Sequence, residues 1–211
     1  MSDTKIKICG LSRIQDIEYV NDALPDFIGF VFAQSRRQVK PEAAGELKAA
    51  LDNRIKAVGV FVNEDTAFIK DLCHHGIIDY IQLHGDESNE YIANLKLQLE
   101  RANCSKPIIK AVRVKDSETM GAAGQYNTDF LLLDTYIDRE YGGTGKAFDW
   151  KLASSTVKPF FLAGGLNYNN VLQAINTAKP FSVDISSGVE TDGNKDRTKI
   201  KNIVKLIRSV E

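Results

Sequence analysis

Cysteine is scarce in this chain: Cys9, Cys73 and Cys104 are the three among 211 residues. An odd number at irregular spacing fits a reducing compartment better than a disulfide framework, so a cytoplasmic location is expected. No apolar run approaches the roughly 20 residues that cross a bilayer. The N-terminal MSDTKIKICG lacks the apolar core of a signal peptide. Neither sign of charge dominates. The 27 Lys and Arg against 28 Asp and Glu leave a formal net charge of −1. That excludes a basic face for nucleic acid and an acidic solvating tail. No linker or low-complexity segment interrupts the chain, so one domain over residues 1–211 is expected. What remains is a chain 43% hydrophobic and 26% charged, enough for a sizeable core.

Two stretches near the C-terminus organise the rest: PFFLAGG (159–165) and PFSVDISSG (180–188). Each reads as a short apolar strand entered by proline and ended by small residues. Gly164, Gly165, Ser186, Ser187 and Gly188 put backbone N–H groups at strand ends with no bulky side chain in the way. Convergent donors of that kind suit a phosphate dianion. Ahead of them, KIKIC, FIGFVF, IKAVGVF, DYIQLH, PIIKAVRV and DFLLLDT read as six more strands. Helical segments are expected at 13–23, 41–51, 64–74, 88–102, to about 121, from 149, 167–176 and 195–209. Pro41 suits a first helical turn and Ser88 an N-cap. The first helix shows helical spacing through Ile14, Ile17, Val20 and Leu24. Eight strand–helix units in about 200 residues imply a small parallel (β/α)8 barrel, the TIM barrel. The competing open doubly wound sheet usually carries G-x-G-x-x-G at its first turn, and here that turn reads C-G-L-S-R.

Barrel sites lie at strand C-termini, often with phosphate held after strands seven and eight. Cys9 ends strand one there; on its own it also suits a small buried hydrophobe. Asp134 ends strand six after apolar residues, where strand packing gives aspartate no reason to be. Facing a thiol, it would complete an acid–base pair. Arg37, in the loop after strand two, carries a planar fork suited to a ligand carboxylate; one or both of Arg36 and Arg37 also suit solvated loop charge. His84 ends strand four, and alternation puts Gln82 on its face. Lys7 shares a face with Cys9, inside the barrel, and a buried lysine needs a partner. Strand eight closes on strand one, so Lys7 is expected to pair with Asp184 beneath the site. EYGGTGKAFDW (140–150) lacks the P-loop spacing and reads as a flap ended by Phe148 and Trp150. Cys73, His74 and His75 adjoin at a helix end away from the strand C-termini, so a surface or bottom-loop position is expected rather than a metal site.

Taken together, KICG, GFVF with SRRQV, VGVF, QLHG, LLLD, GGTGKAFDW, LAGGL and VDISSGVE resemble the phosphoribosylanthranilate isomerase family, over 5–199. The resemblance implies an aldose–ketose isomerase of tryptophan biosynthesis, with Cys9 as general base and Asp134 as general acid. It implies Arg37 on the anthranilate carboxylate, His84 lining the site, and Gly164, Gly165, Ser186, Ser187 and Gly188 on phosphate. Asp184 is counted with the substrate-lining residues. The substrate is a small phosphosugar, and no metal or organic cofactor is implied. Competing readings are another phosphosugar barrel, which would use two carboxylates or a metal, and a barrel that only binds phosphorylated metabolites. A monomer is the default expectation and a homodimer the alternative.

Overall fold

A computed structural model describes residues 4–114, 117–134, 150, 153, 156 and 158–209. Eight parallel strands close on themselves in chain order: β1 Lys5–Cys9, β2 Phe27–Val31, β3 Lys56–Phe61, β4 Tyr80–Leu83, β5 Ile108–Arg113, β6 Phe130–Asp134, β7 Phe160–Ala163 and β8 Ser182–Ile185. The closing pair sets Lys7 opposite Asp184 and Ile8 opposite Ile185. This is the (β/α)8 barrel expected from the alternation of strands and helices, not the open sheet.

The helices are α1 Ile14–Ala23, α2 Pro41–Ala50, α3 Thr66–His74, α4 Asn89–Arg101, α5 Ser117–Ala123, α6 Val171–Ala178 and α7 Arg197–Arg208. Local chemistry sets their ends. Pro41 takes the first turn of α2, where its missing N–H costs nothing. Ser88 caps α4 by accepting from the Tyr91 N–H at 3.2 Å. Asp196 caps α7 through the Lys199 N–H at 3.0 Å. The apolar stripe of α7, Ile200, Ile203, Val204 and Ile207, is buried, and each such side chain stabilises the fold by roughly 1.5–3 kcal/mol. In α1 the expected stripe is narrower: Ile17 and Val20 are buried, Ile14 is 46% exposed, and Leu24 is the left-handed residue that ends the helix. The Arg13–Asp16 pair, rather than Ile14, fixes that first turn.

Parallel strands covered by helices are buried on both faces, hence their near-continuous apolar runs. Residues pointing outward join the helices in the main core. Residues pointing inward form a second cluster: Phe27, Val58, Ile109, Ala111, Leu132, Phe161 and Ala163, with Tyr80, Phe130 and Phe181 against it. Phe27, Tyr80 and Phe130 each open their strand, so the rings floor the N-terminal end of the barrel. The C-terminal end is left for polar groups. One feature had no sequence expectation: after β8, a turn of 3-10 helix (Ser187–Val189) leads into a hairpin of β9 Glu190–Thr191 and β10 Asn194–Lys195.

The segment at 140–149 and the start of the helix expected from 149 lie outside the described residues. Trp150 is half-buried and packs on the main core. At the end of α3, His74 and His75 are exposed as expected, whereas Cys73 is buried in the main core because the apolar face of α3 includes it.

Candidate active site

Cys9 and Asp134 are the last residues of β1 and β6. In a parallel barrel both therefore stand at the same rim. Lys7, two residues before Cys9, is 0% exposed. Its Nζ donates to Asp184 Oδ2 at 2.7 Å and to Gln82 Oε1 at 2.9 Å. The pairing of Lys7 with Asp184 beneath the rim is thus as the alternation predicts. Burial opposes the charge on Lys7, but Asp184 and Cys9 outweigh it and hold the ammonium above its ordinary value.

The Cys9 side chain is half-buried. Gly29 on the neighbouring strand makes room for it: a Cβ there would come within 2.6 Å of Cys9 Sγ. Burial pushes the Cys9 thiol up; Lys7, by charge and hydrogen bond, pulls it back without cancelling the burial. Asp184 adds to the upward push. Asp184 is itself 8% exposed, and its Oδ1 has no hydrogen-bond partner among the described residues.

Across the mouth, Gln82 Nε2 lies 2.8 Å from His84 Nδ1. His84 Nε2 in turn lies 3.8 Å from Asp134 Oδ2, an approach longer than a hydrogen bond. Lys7, Gln82, His84 and Asp134 so form one line from β1 through β4 to β6. A cavity of about 380 Å³ opens beside it, lined by His84, Asp134, Lys110, Arg113 and Tyr126 among others.

On the Cys9 side, Arg37 reaches over the rim. A Cβ on Gly10 would overlap its Cδ, and its guanidinium is held above its ordinary value first by hydrogen bonding to Glu190 and, by a smaller amount, by Cys9. Its guanidinium is held edge-on by Glu190: Nε to Oε1 and Nη2 to Oε2, both 2.8 Å. That fork uses one edge and leaves the Nη1 side of the plane. Arg36 and Lys195 also bond Glu190, at 2.9 and 2.7 Å. Burial alone would raise the Glu190 carboxyl, but hydrogen bonds from Arg37 and Lys195 outweigh it and hold the group at about 2. Lys195 is buried enough that desolvation keeps its ammonium below the ordinary value despite Glu190.

The small-residue loops stand side by side. A Cβ on Gly188 would overlap the Leu166 carbonyl oxygen, so only glycine lets the loops after β7 and β8 touch. Gly164 and Gly165 both take left-handed φ, 102° and 63°. A Cβ on Gly165 would meet nothing within 4 Å. Ser186 Oγ donates to the Cys9 carbonyl at 3.0 Å, which ties the β8 loop to the end of β1. Ser187 opens the 3-10 turn.

Every substrate-site candidate read from the sequence therefore falls at the C-terminal rim or on the layer just beneath it. Three were missed. Glu190 and Lys195 sit on two-residue strands that no periodicity marks, and charges there read as solvated. Lys110 points outward from β5 yet is buried, with Nζ bonded to the Gly85 carbonyl at 2.6 Å and to Glu87 at 3.0 Å. A lysine between apolar strand residues was the available signal for it.

The chain matches the family model described as N-(5'phosphoribosyl)anthranilate (PRA) isomerase over residues 6–206. It is 48% identical over 206 residues to an N-(5'-phosphoribosyl)anthranilate isomerase of Endomicrobium trichonymphae, covering 98% of this chain and 99% of the relative. Among solved structures, phosphoribosyl anthranilate isomerase from Thermotoga maritima superposes with a TM-score of 0.84 at 36% identity, over 98% of this chain and 99% of the other. Another, solved in complex with reduced 1-(o-carboxyphenylamino)-1-deoxyribulose 5-phosphate, gives 0.83 at 34% identity with the same coverage. With near-complete coverage in both sequence and fold, this chain belongs to the N-(5'-phosphoribosyl)anthranilate isomerase family.

Proposed function

We propose that this enzyme performs the Amadori rearrangement of N-(5-phosphoribosyl)anthranilate with Cys9 as base and Asp134 as acid. The product is 1-(2-carboxyphenylamino)-1-deoxyribulose 5-phosphate, in tryptophan biosynthesis. The observation that carries the assignment is a thiol and a carboxyl at the ends of β1 and β6, on one rim, joined by a polar line through Lys7, Gln82 and His84. The furanose opens when Asp134 donates a proton to the ring oxygen as the C1–O bond breaks. Nitrogen supplies the electron pair, leaving a protonated Schiff base. Cys9 thiolate then removes the C2 proton, and those electrons flow to nitrogen to give the enolamine. Tautomerisation to the ketone completes the reaction, with no net gain or loss of atoms. The iminium is the electron sink.

The remaining groups hold the substrate. Backbone and hydroxyl groups of Gly164, Gly165, Ser186, Ser187 and Gly188 take the phosphate; the touching loops and the open space over Gly165 support this. The free edge of Arg37 takes the anthranilate carboxylate while Glu190 grips the other edge. The buried Asp184 Oδ1, unpartnered among the described residues, accepts a sugar hydroxyl, which would remove an acceptor that is costly to leave unpaired. His84 lines the acid side.

The test is a continuous fluorescence assay on freshly made phosphoribosylanthranilate. Wild-type turnover with loss in Cys9→Ser and in Asp134→Asn supports the assignment, and full turnover in either variant ends it. We further propose a monomeric, cytoplasmic enzyme. A solved isomerase of Thermotoga maritima is described as dimeric, so sedimentation is the direct check: one species near 23.4 kDa is expected, and a doubled mass overturns it.

A further inference from the structure

Gln82 is 1% exposed and stands between two groups with fixed demands. On one side is Lys7 Nζ at 2.9 Å. A protonated lysine offers donors only, so the atom facing it must be the amide oxygen. The Asp184 carboxylate 2.7 Å from the same Nζ keeps that lysine protonated. With the oxygen committed, the amide NH2 is what meets His84 Nδ1 at 2.8 Å. An NH2 group donates and cannot accept, so Nδ1 must offer its lone pair. The ring proton of a neutral His84 is then on Nε2, the atom 3.8 Å from Asp134 Oδ2.

We infer that Gln82 is a positioning residue that fixes His84 as the Nε2–H tautomer and so presents an N–H to the acid of the reaction. The chemical consequence is directional. A lone pair at Nε2 would compete with the substrate oxygen for the proton of Asp134. An N–H there cannot take that proton, and it favours the carboxylate left once the proton has gone to the ring oxygen. His84 thus steers the proton of Asp134 without carrying it. Gln82 is the source of that arrangement, and Lys7 is the source of the orientation of Gln82.

The test begins with the folded full chain carrying His74→Gln and His75→Gln. Those two exposed residues at the end of α3 are remote from the mouth, and their removal leaves His84 as the sole histidine. Two-bond proton–nitrogen spectra of the 15N-imidazole-labelled protein read which ring nitrogen bears the proton. Protonated Nε2 with bare Nδ1 is expected, and a proton on Nδ1 overturns the inference. In the same background, Gln82→Glu keeps an acceptor for Lys7 but turns an oxygen toward Nδ1, so a proton is expected to appear on Nδ1. Gln82→Met removes both contacts and should leave the tautomers mixed. For both variants kcat should fall on the order of ten- to a hundredfold, the range for partners that orient a functional histidine, with KM changed far less. A purely structural glutamine would lower the melting temperature and leave the tautomer and the kcat of the folded enzyme as they are. The kinetic arm rests on Asp134 being the acid, while the spectroscopic arm does not. Loss of the kcat effect with the tautomer confirmed would count against Asp134 alone.

Discussion

Inward positions at the floor of the barrel hold rings, and a few residues further along the same strands they hold polar or charged groups. In β4, Tyr80 lies at the floor and Gln82 near the mouth; in β6, Phe130 lies at the floor and Asp134 at the rim. At the floor, Phe161 packs edge-on against Phe27, Phe130 and Phe181 with centroids 5.4–5.7 Å apart. These contacts ask for no partner beyond shape. At the mouth every charge needs an answering group: Lys7 takes Asp184 and Gln82, and Glu190 takes three cations. Even so, Asp184 Oδ1 is left unpartnered among the described residues. The floor is arranged for stability. The mouth gives up some stability to keep polar atoms ready for a ligand.

Substitution at the proposed acid–base pair should separate the two ends most widely. Cys9→Ala and Asp134→Asn are each expected to lower kcat on the order of 10²–10⁴, with melting temperatures near that of the parent. Turnover by fluorescence and melting by calorimetry report the two effects independently. The thiol adds a pH signature. Because burial holds Cys9 above its ordinary value against the pull of Lys7, thiolate is scarce at neutral pH and grows as pH rises. The kcat/KM and the rate of iodoacetamide alkylation should therefore climb together above neutral pH. Lys7→Met removes the opposing charge and should move both climbs to higher pH. Profiles that stay flat would remove Cys9 from the role of base.

Next in size is the opposite outcome at the floor. Phe161 is 0% exposed. Phe161→Ala should cost about 3–5 kcal/mol of stability, with the kinetic constants of the folded protein unchanged. A loss of kcat comparable to that of Cys9→Ala would show that the two ends are coupled rather than divided.

How much of this was legible in the sequence follows the same division. The eight strands could be read because each is a short apolar run, several of them entered by proline or ended by glycine or small residues. Their order needed only the alternation with helices. The Lys7–Asp184 pair was legible because alternation fixes the face of β1 and closure fixes its neighbour. Ile14 misled because its spacing fits the buried stripe, while its place at the first helical residue leaves it in solvent. The aromatic floor was not legible as such. An inward phenylalanine and an outward one look alike when both faces of a strand are buried. Glu190 was hidden for another reason. Its environment is assembled from residues 36, 37 and 195, which no local pattern joins, and a glutamate between small and polar residues reads as surface. The grip of Glu190 on Arg37 is therefore a tertiary fact, visible only once the loop after β2 meets the hairpin after β8.

That grip gives the third prediction. Glu190→Gln keeps the shape but replaces a charged acceptor by an amide. Charge-assisted hydrogen bonds contribute about 1.5–3 kcal/mol, so loosening Arg37 should raise KM roughly ten- to a hundredfold. The kcat should change far less, since no proton passes through Arg37. A product analogue with its carboxylate should lose affinity in this variant, and the same analogue without the carboxylate should not. Equal losses for both would mean that Glu190 supports the mouth generally rather than aiming Arg37.

Gly165 is expected to show the smallest effect and the finest division between structure and binding. Its φ of 63° lies where a side chain is strained, so Gly165→Ala should cost about 1 kcal/mol, a shift of a few degrees in melting temperature. The added methyl would strike no protein atom within 4 Å. It projects instead into the space over the end of β7, where the phosphate is proposed to sit. The inhibition constant for inorganic phosphate should therefore rise several-fold while kcat at saturating substrate holds, because the proposed proton-transfer groups on β1 and β6 are untouched. A variant that loses those few degrees of melting temperature but binds phosphate as before would make Gly164 and Gly165 a turn and nothing more. The anion would then have to be held by the β8 loop alone.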